Sequence, residues 1–120
     1  MRSLLLAAAA LVFCGSPVFA DDDVMANYYG NTVVATGGMV DTHTYYSPDH
    51  TLITKAPAFG LQYKGVWKLD GANVCRTYDA PPAGVPNPSC APVAAHKIGD
   101  SWTVTVGDKT RTLTLLKGIQ

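Results

Sequence analysis

The sequence predicts an all-β fold: a small antiparallel meander of about eight strands that forms a barrel or a sandwich and carries one disulfide. Two observations predict it. From Thr32 onward, short runs rich in Val, Thr, Ile, Tyr and Trp alternate with turn residues at intervals of roughly 8–12 residues. Helix signals are confined to a turn or two within residues 22–29, where Asp side chains can cap a helix N-terminus.

The beginning of the chain has the pattern of a signal peptide. Arg2 supplies a positive n-region, residues 4–13 an apolar h-region, and residues 18–20 (Val-Phe-Ala) a small-residue cleavage site. We therefore expect residues 1–20 to be removed and residues 21–120 to form a single β domain. The mature protein is expected in the periplasm or outside the cell.

The charge balance bears on two classes of partner. The 120 residues carry 9 Lys and Arg against 9 acidic side chains, all of them Asp. Loss of Arg2 with the signal peptide leaves 8 basic against 9 acidic side chains, a net charge of −1 with His neutral. This balance argues against nucleic acid or an anionic membrane surface as the main partner. No stretch after Ala20 could span a bilayer, so no transmembrane anchor is predicted.

Cys75 and Cys90 are predicted to form a disulfide. Cys14 lies in the h-region, and the bulky Phe13 before it argues against a lipoprotein signal. An isolated Cys pair in a small exported chain indicates a disulfide, whereas a metal site would need further ligands at short spacing. The enclosed residues 76–89 include four prolines. We therefore expect the bond to stabilise the fold by about 3 kcal/mol or less.

Three turns set the expected strand register. Asp70-Gly71 predicts a type I′ hairpin, in which both central residues take a positive φ. Gly99-Asp100 and Gly107-Asp108 predict type II′ hairpins with Gly first. A softer turn is predicted over residues 47–50.

The predicted register divides the side chains between two faces, because directly opposite residues share a face. The core faces of these hairpins are expected to hold Tyr63, Trp67, Leu69, Ala72, Val74, Tyr78, Val93, Ala95, Trp102, Val104, Val106, Leu113 and Leu115. The opposite face of the last two hairpins is expected to be wet and collects His96, Thr103, Thr105, Thr110, Thr112 and Thr114.

Two arginines fall on these core faces beside tryptophans, Arg76 near Trp67 and Arg111 near Trp102. An inward charge needs a partner. One interpretation is a cation–π stack at the barrel rim, which needs no ligand. The other is a pocket in which the guanidinium groups bind a small anionic molecule, with all four residues as candidate ligand-binding residues.

One strand face has two interpretations, a metal site or a solvated surface. Met39, Asp41, His43 and Tyr45 alternate onto one strand face, and His50 follows the next turn. These side chains include copper and zinc ligands. An Asp-x-His pair on a strand is more often a solvated face, so no metal or other cofactor is predicted.

Catalytic signatures are missing from the sequence. It contains no Gly-x-Ser-x-Gly, HExxH, P-loop or Rossmann pattern. Without Glu, the candidate acids and bases reduce to Asp41, Asp79, Asp100, His43, His50 and His96. An enzyme is therefore less favoured than a binding protein.

Several short motifs carry a family resemblance. Residues 29–32 (Tyr-Gly-Asn-Thr), 46–51, 65–67 (Gly-Val-Trp) and 73–75 (Asn-Val-Cys) resemble a group of small, uncharacterised exported bacterial β proteins, in which a Gly-x-Trp strand precedes a Cys-bearing strand. This resemblance implies no activity. The Gly-x-Trp motif with the late Arg111 is also similar to the lipocalin pattern, although lipocalins carry that motif at the N-terminus. By analogy, that pattern implies ligand binding in a barrel.

Together these observations predict an exported, non-enzymatic binding module of the cell envelope, for a small anionic molecule or an envelope protein. One alternative is an inhibitor-like protein that uses the proline-rich loop within residues 76–89 against a secreted hydrolase. The other is a small enzyme using His43 or His96 with a nearby Asp. A sealed barrel interior would favour binding of a protein partner. An open pocket lined by Arg76 and Arg111 would favour binding of a small ligand, and a His–Asp pair that faces a cleft would favour an enzyme.

Overall fold

The computed structural model describes residues 24–120, which form eight antiparallel strands in one sheet. The strands are β1 (Thr32–Thr36), β2 (Thr42–Tyr46), β3 (Thr51–Ala56), β4 (Leu61–Asp70), β5 (Asn73–Tyr78), β6 (Ser89–Pro92), β7 (Ser101–Val106) and β8 (Lys109–Leu116), with a 3₁₀ helix at Pro57–Phe59. The sheet order is β6-β5-β4-β3-β2-β1-β8-β7. The sheet curls into a nearly closed barrel, so β6 and β7 face each other across a seam. The predicted fold class is confirmed, while the predicted signal peptide lies outside the described residues.

The connections between strands divide between the two ends of the barrel, because consecutive antiparallel strands connect at alternating ends. The β1–β2, β3–β4, β5–β6 and β7–β8 connections share one end, here called the loop end. The opposite end, here called the plug end, also holds residues 24–31, the plug segment. Met25 and Tyr28 of the plug segment are buried, and the Tyr28 hydroxyl donates to the Ala94 carbonyl at 2.8 Å. The plug segment therefore closes its end of the barrel.

Aromatic side chains fill the core next to the plug segment. Trp67 is 2% exposed, and its Nε1–H donates to the Ser47 carbonyl at 3.0 Å. The Tyr46 ring meets it edge to face with centroids 6.0 Å apart. Gly65 leaves room on the same inward face, since a Cβ there would collide with the Thr77 carbonyl and lie 2.9 Å from the Tyr78 Cα. The close approach of the β5 backbone thus requires a glycine at this position.

The β4–β5 turn differs from the prediction by one residue. Asp70 stays in β4 and pairs with Asn73, so Gly71 and Ala72 form the turn. Gly71 takes the positive φ of 60°, and Asp70 does not have to adopt that strained conformation. The pairing therefore shifts by two residues, which keeps Trp67 and Val74 on the predicted core face. Ala72, in contrast, is exposed in the turn, so its predicted core position is wrong.

The hairpin predicted at Gly99-Asp100 is also wrong, because residues 93–98 form no strand. Gly99 donates its N–H to the Leu115 carbonyl at 2.7 Å, and the Leu115 N–H donates to the Asp100 carbonyl at 3.0 Å. Gly99 and Asp100 thus lie opposite the single residue Leu115. With Gly99 at φ 95°, this arrangement is a β-bulge whose first residue is a glycine. The sequence signal for a positive φ was correct, but it marks a bulge beside β8.

Without that hairpin, two of its predicted side-chain positions change. Ala95 is exposed instead of lying in the core, and His96 stacks on Trp102 instead of joining the threonine face. At the next turn, Val106 pairs with Lys109 and Val104 with Arg111, as predicted. Val106 is 43% exposed at the end of β7, so its predicted core position is wrong. The threonine face of that hairpin also forms: Thr103 pairs with Thr112, and Thr105 with Thr110.

The predicted disulfide is confirmed. Cys75 and Cys90 are directly opposite residues of β5 and β6, and their Cα atoms lie 4.0 Å apart. The bond fixes both ends of the long β5–β6 connection, which reaches the loop end.

Candidate functional site

Side chains fill the centre of the barrel. Thr44 and Thr54 are buried and share a hydrogen bond of 3.0 Å, and Thr54 is hydrogen-bonded to the Tyr78 hydroxyl at 2.8 Å. Burial raises the pKa of Tyr46, and Arg76, which donates a hydrogen bond to the Tyr46 hydroxyl, offsets part of that effect. The interior is therefore a packed core with a polar network.

The two arginines occupy separate environments. Arg76 lies directly opposite Trp67, and its buried Nε has no hydrogen-bond partner within residues 24–120. Arg111 lies opposite Val104 on β8, and its guanidinium packs against Gly38 of the β1–β2 loop. Neither arginine lines the two shallow pockets described below. Their predicted role in ligand binding, with Trp67 and Trp102, stays a prediction.

A shallow pocket lies at the seam between β6 and β7. Its volume is about 190 Å³, and its lining comprises Pro92, Val93, Ala94, His96, Trp102, Thr103 and Val104. The His96 ring stacks on Trp102 at 3.5 Å between centroids, and its Nδ1 is 3.5 Å from Asp100 Oδ2. The Lys97 N–H donates to the same carboxylate, and this bond, with His96, lowers the pKa of Asp100.

This His–Asp pair is the arrangement expected for the enzyme alternative, but the lining offers one hydroxyl, that of Thr103. Ser101 is bonded instead to Thr114 on the outer face, 2.8 Å between hydroxyls. A second pocket, about 380 Å³, lies across β2, β3 and β4, with Lys64 and Asp79 as its charged lining.

The two histidines of the candidate metal site, His43 and His50, have different neighbours. His50 stacks on Trp67 at 4.1 Å, whereas His43 Nδ1 lies 3.5 Å from the Gln120 carbonyl. Within residues 24–120, no three His, Cys, Asp or Glu side chains form a group able to hold a metal ion.

The loop end carries a cluster of exposed apolar side chains, which we call the apolar rim. Its members are Met39, Phe59, Leu61, Val85 and Val106. Met39 is fully exposed and Phe59 is 66% exposed. Each of the four connections at this end contributes at least one member, within the loop or at its junction with a strand. Of the other large exposed apolar side chains of residues 24–120, Val66 lies on the outer face, and Ile98 and Ile119 lie at the plug end.

The charge at the loop end is mixed. The loops at this end, residues 37–41, 57–60, 79–88 and 107–108, contain three exposed Asp and no Lys, Arg or His. The Asp residues are Asp41, Asp79 and Asp108. Lys109 follows Asp108 directly, and the Arg111 guanidinium packs against Gly38 of the β1–β2 loop. Asp79 lines the second pocket together with Lys64. Charges of both signs therefore lie around the rim.

The longest of these loops is held in place. Asn87 Oδ1 accepts the Tyr78 N–H at 2.8 Å, and its Nδ2 donates to the Tyr78 carbonyl at 3.1 Å. The Val85 N–H donates to the Pro82 carbonyl at 3.2 Å. The disulfide and these bonds restrain the loop that carries Val85, which would reduce the entropy lost on binding.

Sequence reasoning identified this proline-rich loop as a possible contact surface but missed the rim. The signal was available: in a meander, alternate turns meet at one end, and those turns here contain Met39, Phe59 and Val85 among Gly and Pro. Comparison of the chain with protein-family models, curated proteins and solved structures finds no match. No helix within residues 24–120 is long and apolar enough to cross a bilayer.

Proposed function

We propose that this protein is an exported, non-enzymatic binding module that docks a partner protein on the apolar rim. The observation that carries the proposal is the contrast between a filled interior and an exposed apolar cluster spread over all four connections of one end. Exposed apolar side chains collected at one end of a fold favour an interaction site there. A small ligand inside the barrel would require space that Thr44, Thr54 and Tyr78 occupy.

The proposed partner presents an exposed apolar patch to the rim. Asp41 and Asp108, with Lys109 and Arg111 at the same end, would pair with charges of either sign at the margins of that patch. Fully exposed Met39 suits this role, because methionine adapts to irregular apolar surfaces. Export into the periplasm or the medium is part of the proposal, supported by the disulfide and by the signal-peptide pattern of residues 1–20.

The inhibitor-like alternative is a special case of this proposal. The loop carrying Val85 is fixed by Asn87 and by the disulfide, as a rigid inhibitory loop would be. In that case the partner is a secreted hydrolase, and docking lowers its activity.

Site-specific photo-crosslinking in the organism that makes the protein tests the proposal. A photoreactive amino acid replaces Met39, Phe59 or Val85, and the control replaces Ile98, exposed at the plug end. We expect the three rim positions to capture one common protein that the Ile98 position does not capture. Equal capture from Ile98, or capture of a different protein from each rim position, would contradict the proposal.

Binding of the purified partner gives the quantitative test. Phe59→Ser should weaken the affinity about tenfold or more, because a central aromatic at an interface typically contributes at least 1–2 kcal/mol. Ile98→Ser is the matched control and should leave the affinity unchanged. Equal effects of the two substitutions would remove the rim as the docking surface.

A further inference from the structure

The two methionines of residues 24–120 have opposite environments. Met25 belongs to the plug segment, is 0% exposed and lies in the buried core cluster. Met39 belongs to the apolar rim and is fully exposed. Hydroperoxides oxidise the thioether sulfur of methionine to a sulfoxide where they can reach it. The protein therefore has one shielded and one accessible site for the same reaction, and the accessible site lies in the proposed docking surface.

The β1–β2 loop keeps the Met39 side chain in solvent. Gly37 and Gly38 precede it and lie against β8: a Cβ at Gly37 would be 3.6 Å from the Thr110 carbonyl oxygen, and a Cβ at Gly38 would collide with the Arg111 guanidinium. Gly37 also takes a φ of 93°, which favours glycine. Because these two neighbours have no side chains, neither of them covers the Met39 sulfur.

Met39 is also the only accessible reduced sulfur of residues 24–120. Cys75 and Cys90 are joined in the disulfide, and Met25 is buried. A disulfide is typical of compartments outside the cytosol, where thiol reductants do not keep sulfur reduced. An oxidant that reaches the folded protein there meets one thioether in solvent.

We propose that Met39 is an oxidation site through which hydroperoxides weaken docking on the apolar rim, a proposal that rests on the function proposed above. A lone pair of the Met39 sulfur attacks one oxygen of hydrogen peroxide, so that the O–O bond breaks and an S–O bond forms. The leaving hydroxide takes up the proton of the transferred oxygen and departs as water. The sulfur is oxidised by two electrons to the sulfoxide, and the peroxide is reduced.

Oxidation changes the polarity of the rim at one position. The sulfoxide oxygen is a hydrogen-bond acceptor that water solvates on the free rim, whereas an apolar partner surface offers no donor to it. Docking would then bury an unsatisfied polar group, which is unfavourable. Met39 lies outside the buried core cluster, so we expect the effect on binding and not on folding.

Mass spectrometry after peroxide treatment tests the site without a partner. Chymotrypsin, which cleaves after Tyr28 and Tyr29, separates Met25 and Met39 into different peptides. In the folded protein, Met39 should gain one oxygen atom at least about ten times faster than Met25, because Met25 reacts only when the plug segment opens. In urea-unfolded protein, the two rates should be similar. Equal rates in the folded protein, or faster oxidation of Met25, would overturn the proposal.

Affinity measurements connect oxidation to docking. The protein is treated with peroxide, freed of it and mixed with the untreated partner that photo-crosslinking captures at the rim. Oxidation of the wild type should weaken the affinity at least about tenfold. Met39→Gln, with a polar side chain of similar length, should also bind at least about tenfold more weakly than the wild type.

Two leucine variants locate the effect on one sulfur atom. Met39→Leu removes the sulfur but keeps an apolar side chain, so peroxide should not change the affinity that this variant has before treatment. Met25→Leu is the matched control, since exchange of Met for Leu is well tolerated in cores, and it should respond to peroxide as the wild type does. If Met25→Leu does not fold, the comparison of wild type with Met39→Leu still tests the proposal.

Failure of this proposal and failure of the docking function give different results. If oxidised wild type binds the captured partner with unchanged affinity, or if peroxide weakens Met39→Leu as strongly as wild type, the oxidation proposal is overturned and docking on the rim stands. If photo-crosslinking captures no common partner, docking itself fails, and the oxidation proposal falls with it even where Met39 is the faster site.

Discussion

Large apolar side chains are buried at the plug end of the barrel and exposed at the loop end. At the plug end, Met25, Tyr28 and Trp67 are at most 3% exposed, because residues 24–31 cover the opening. At the loop end, Met39 and Phe59 stand in solvent at the tips of separate connections. No segment of residues 24–120 covers these tips. The difference indicates that one end serves stability and the other end is available for binding, and each prediction below tests that division.

Removal of a plug-end aromatic should have the largest effect. Trp67→Ala deletes a side chain that is 2% exposed and hydrogen-bonded to Ser47, so the free energy of unfolding should fall by about 3–5 kcal/mol. Urea denaturation measures it. Phe59→Ala, an aromatic truncation at the loop end, is the control and should change the value by less than about 0.5 kcal/mol. Similar losses in the two variants would contradict the division.

Removal of the disulfide should have the next largest effect. The double variant Cys75→Ser, Cys90→Ser frees the ends of a loop with a sequence separation of 15 residues, which should cost about 2–3 kcal/mol. The four prolines already restrict the unfolded chain and keep the value at or below the upper figure. Denaturation of the oxidised wild type, the reduced wild type and the variant checks it. A cost below about 1 kcal/mol would mean that β5–β6 pairing alone holds the loop.

The sequence predicted the strands, the disulfide and the faces of β7 and β8 because these depend on local signals. Alternation identifies faces, and Gly107-Asp108 allows one tight turn between Val106 and Lys109. The observed β4–β5 register differs from the predicted one because two turns are compatible with the sequence. Asp70-Gly71 and Gly71-Ala72 both place a glycine in the turn, and which of the two forms sets the strand pairing.

The features that the sequence did not predict depend on distant contacts. Gly99 supplies a positive φ to either a hairpin or a bulge, and its bond to Leu115 decides between them. The plug segment shows only a short helix signal, and its burial depends on Tyr28 reaching Ala94, 66 residues away. The apolar rim likewise exists only once alternate turns of the meander are brought to one end.

A pH titration tests the plug end through Tyr28. Burial, with a smaller contribution from Tyr46, raises the pKa of Tyr28 in the folded protein. Above about pH 10, the unfolded chain loses this proton while the folded protein keeps it. The free energy of unfolding should therefore fall as pH rises beyond that value, by about 1.4 kcal/mol per pH unit for this group, and should be unaffected by it below.

Tyr28→Phe isolates this contribution. The variant lacks the bond to Ala94 and should lose about 1 kcal/mol near neutral pH. In the alkaline range, the free energy of unfolding of the variant should fall less steeply with pH than that of the wild type, because the Tyr28 proton is missing. A slope should remain, because burial also raises the pKa of Tyr46, which still titrates in the unfolded chain. Equal slopes for wild type and variant, measured by urea denaturation from pH 8 to 11, would show that the Tyr28 hydroxyl reaches solvent.

The smallest effect is expected at the apolar rim. Met39 and Phe59 make no contribution to the buried core cluster, so Met39→Ser, Phe59→Ser should change the free energy of unfolding by less than about 0.5 kcal/mol. The same variant should bind less of a dye that fluoresces on apolar surfaces, because two exposed members of the rim are gone. A loss of stability above about 1 kcal/mol would mean that these side chains fold back onto the barrel in solution. The loop end would then be closed as the plug end is, and the rim would not be available to a partner.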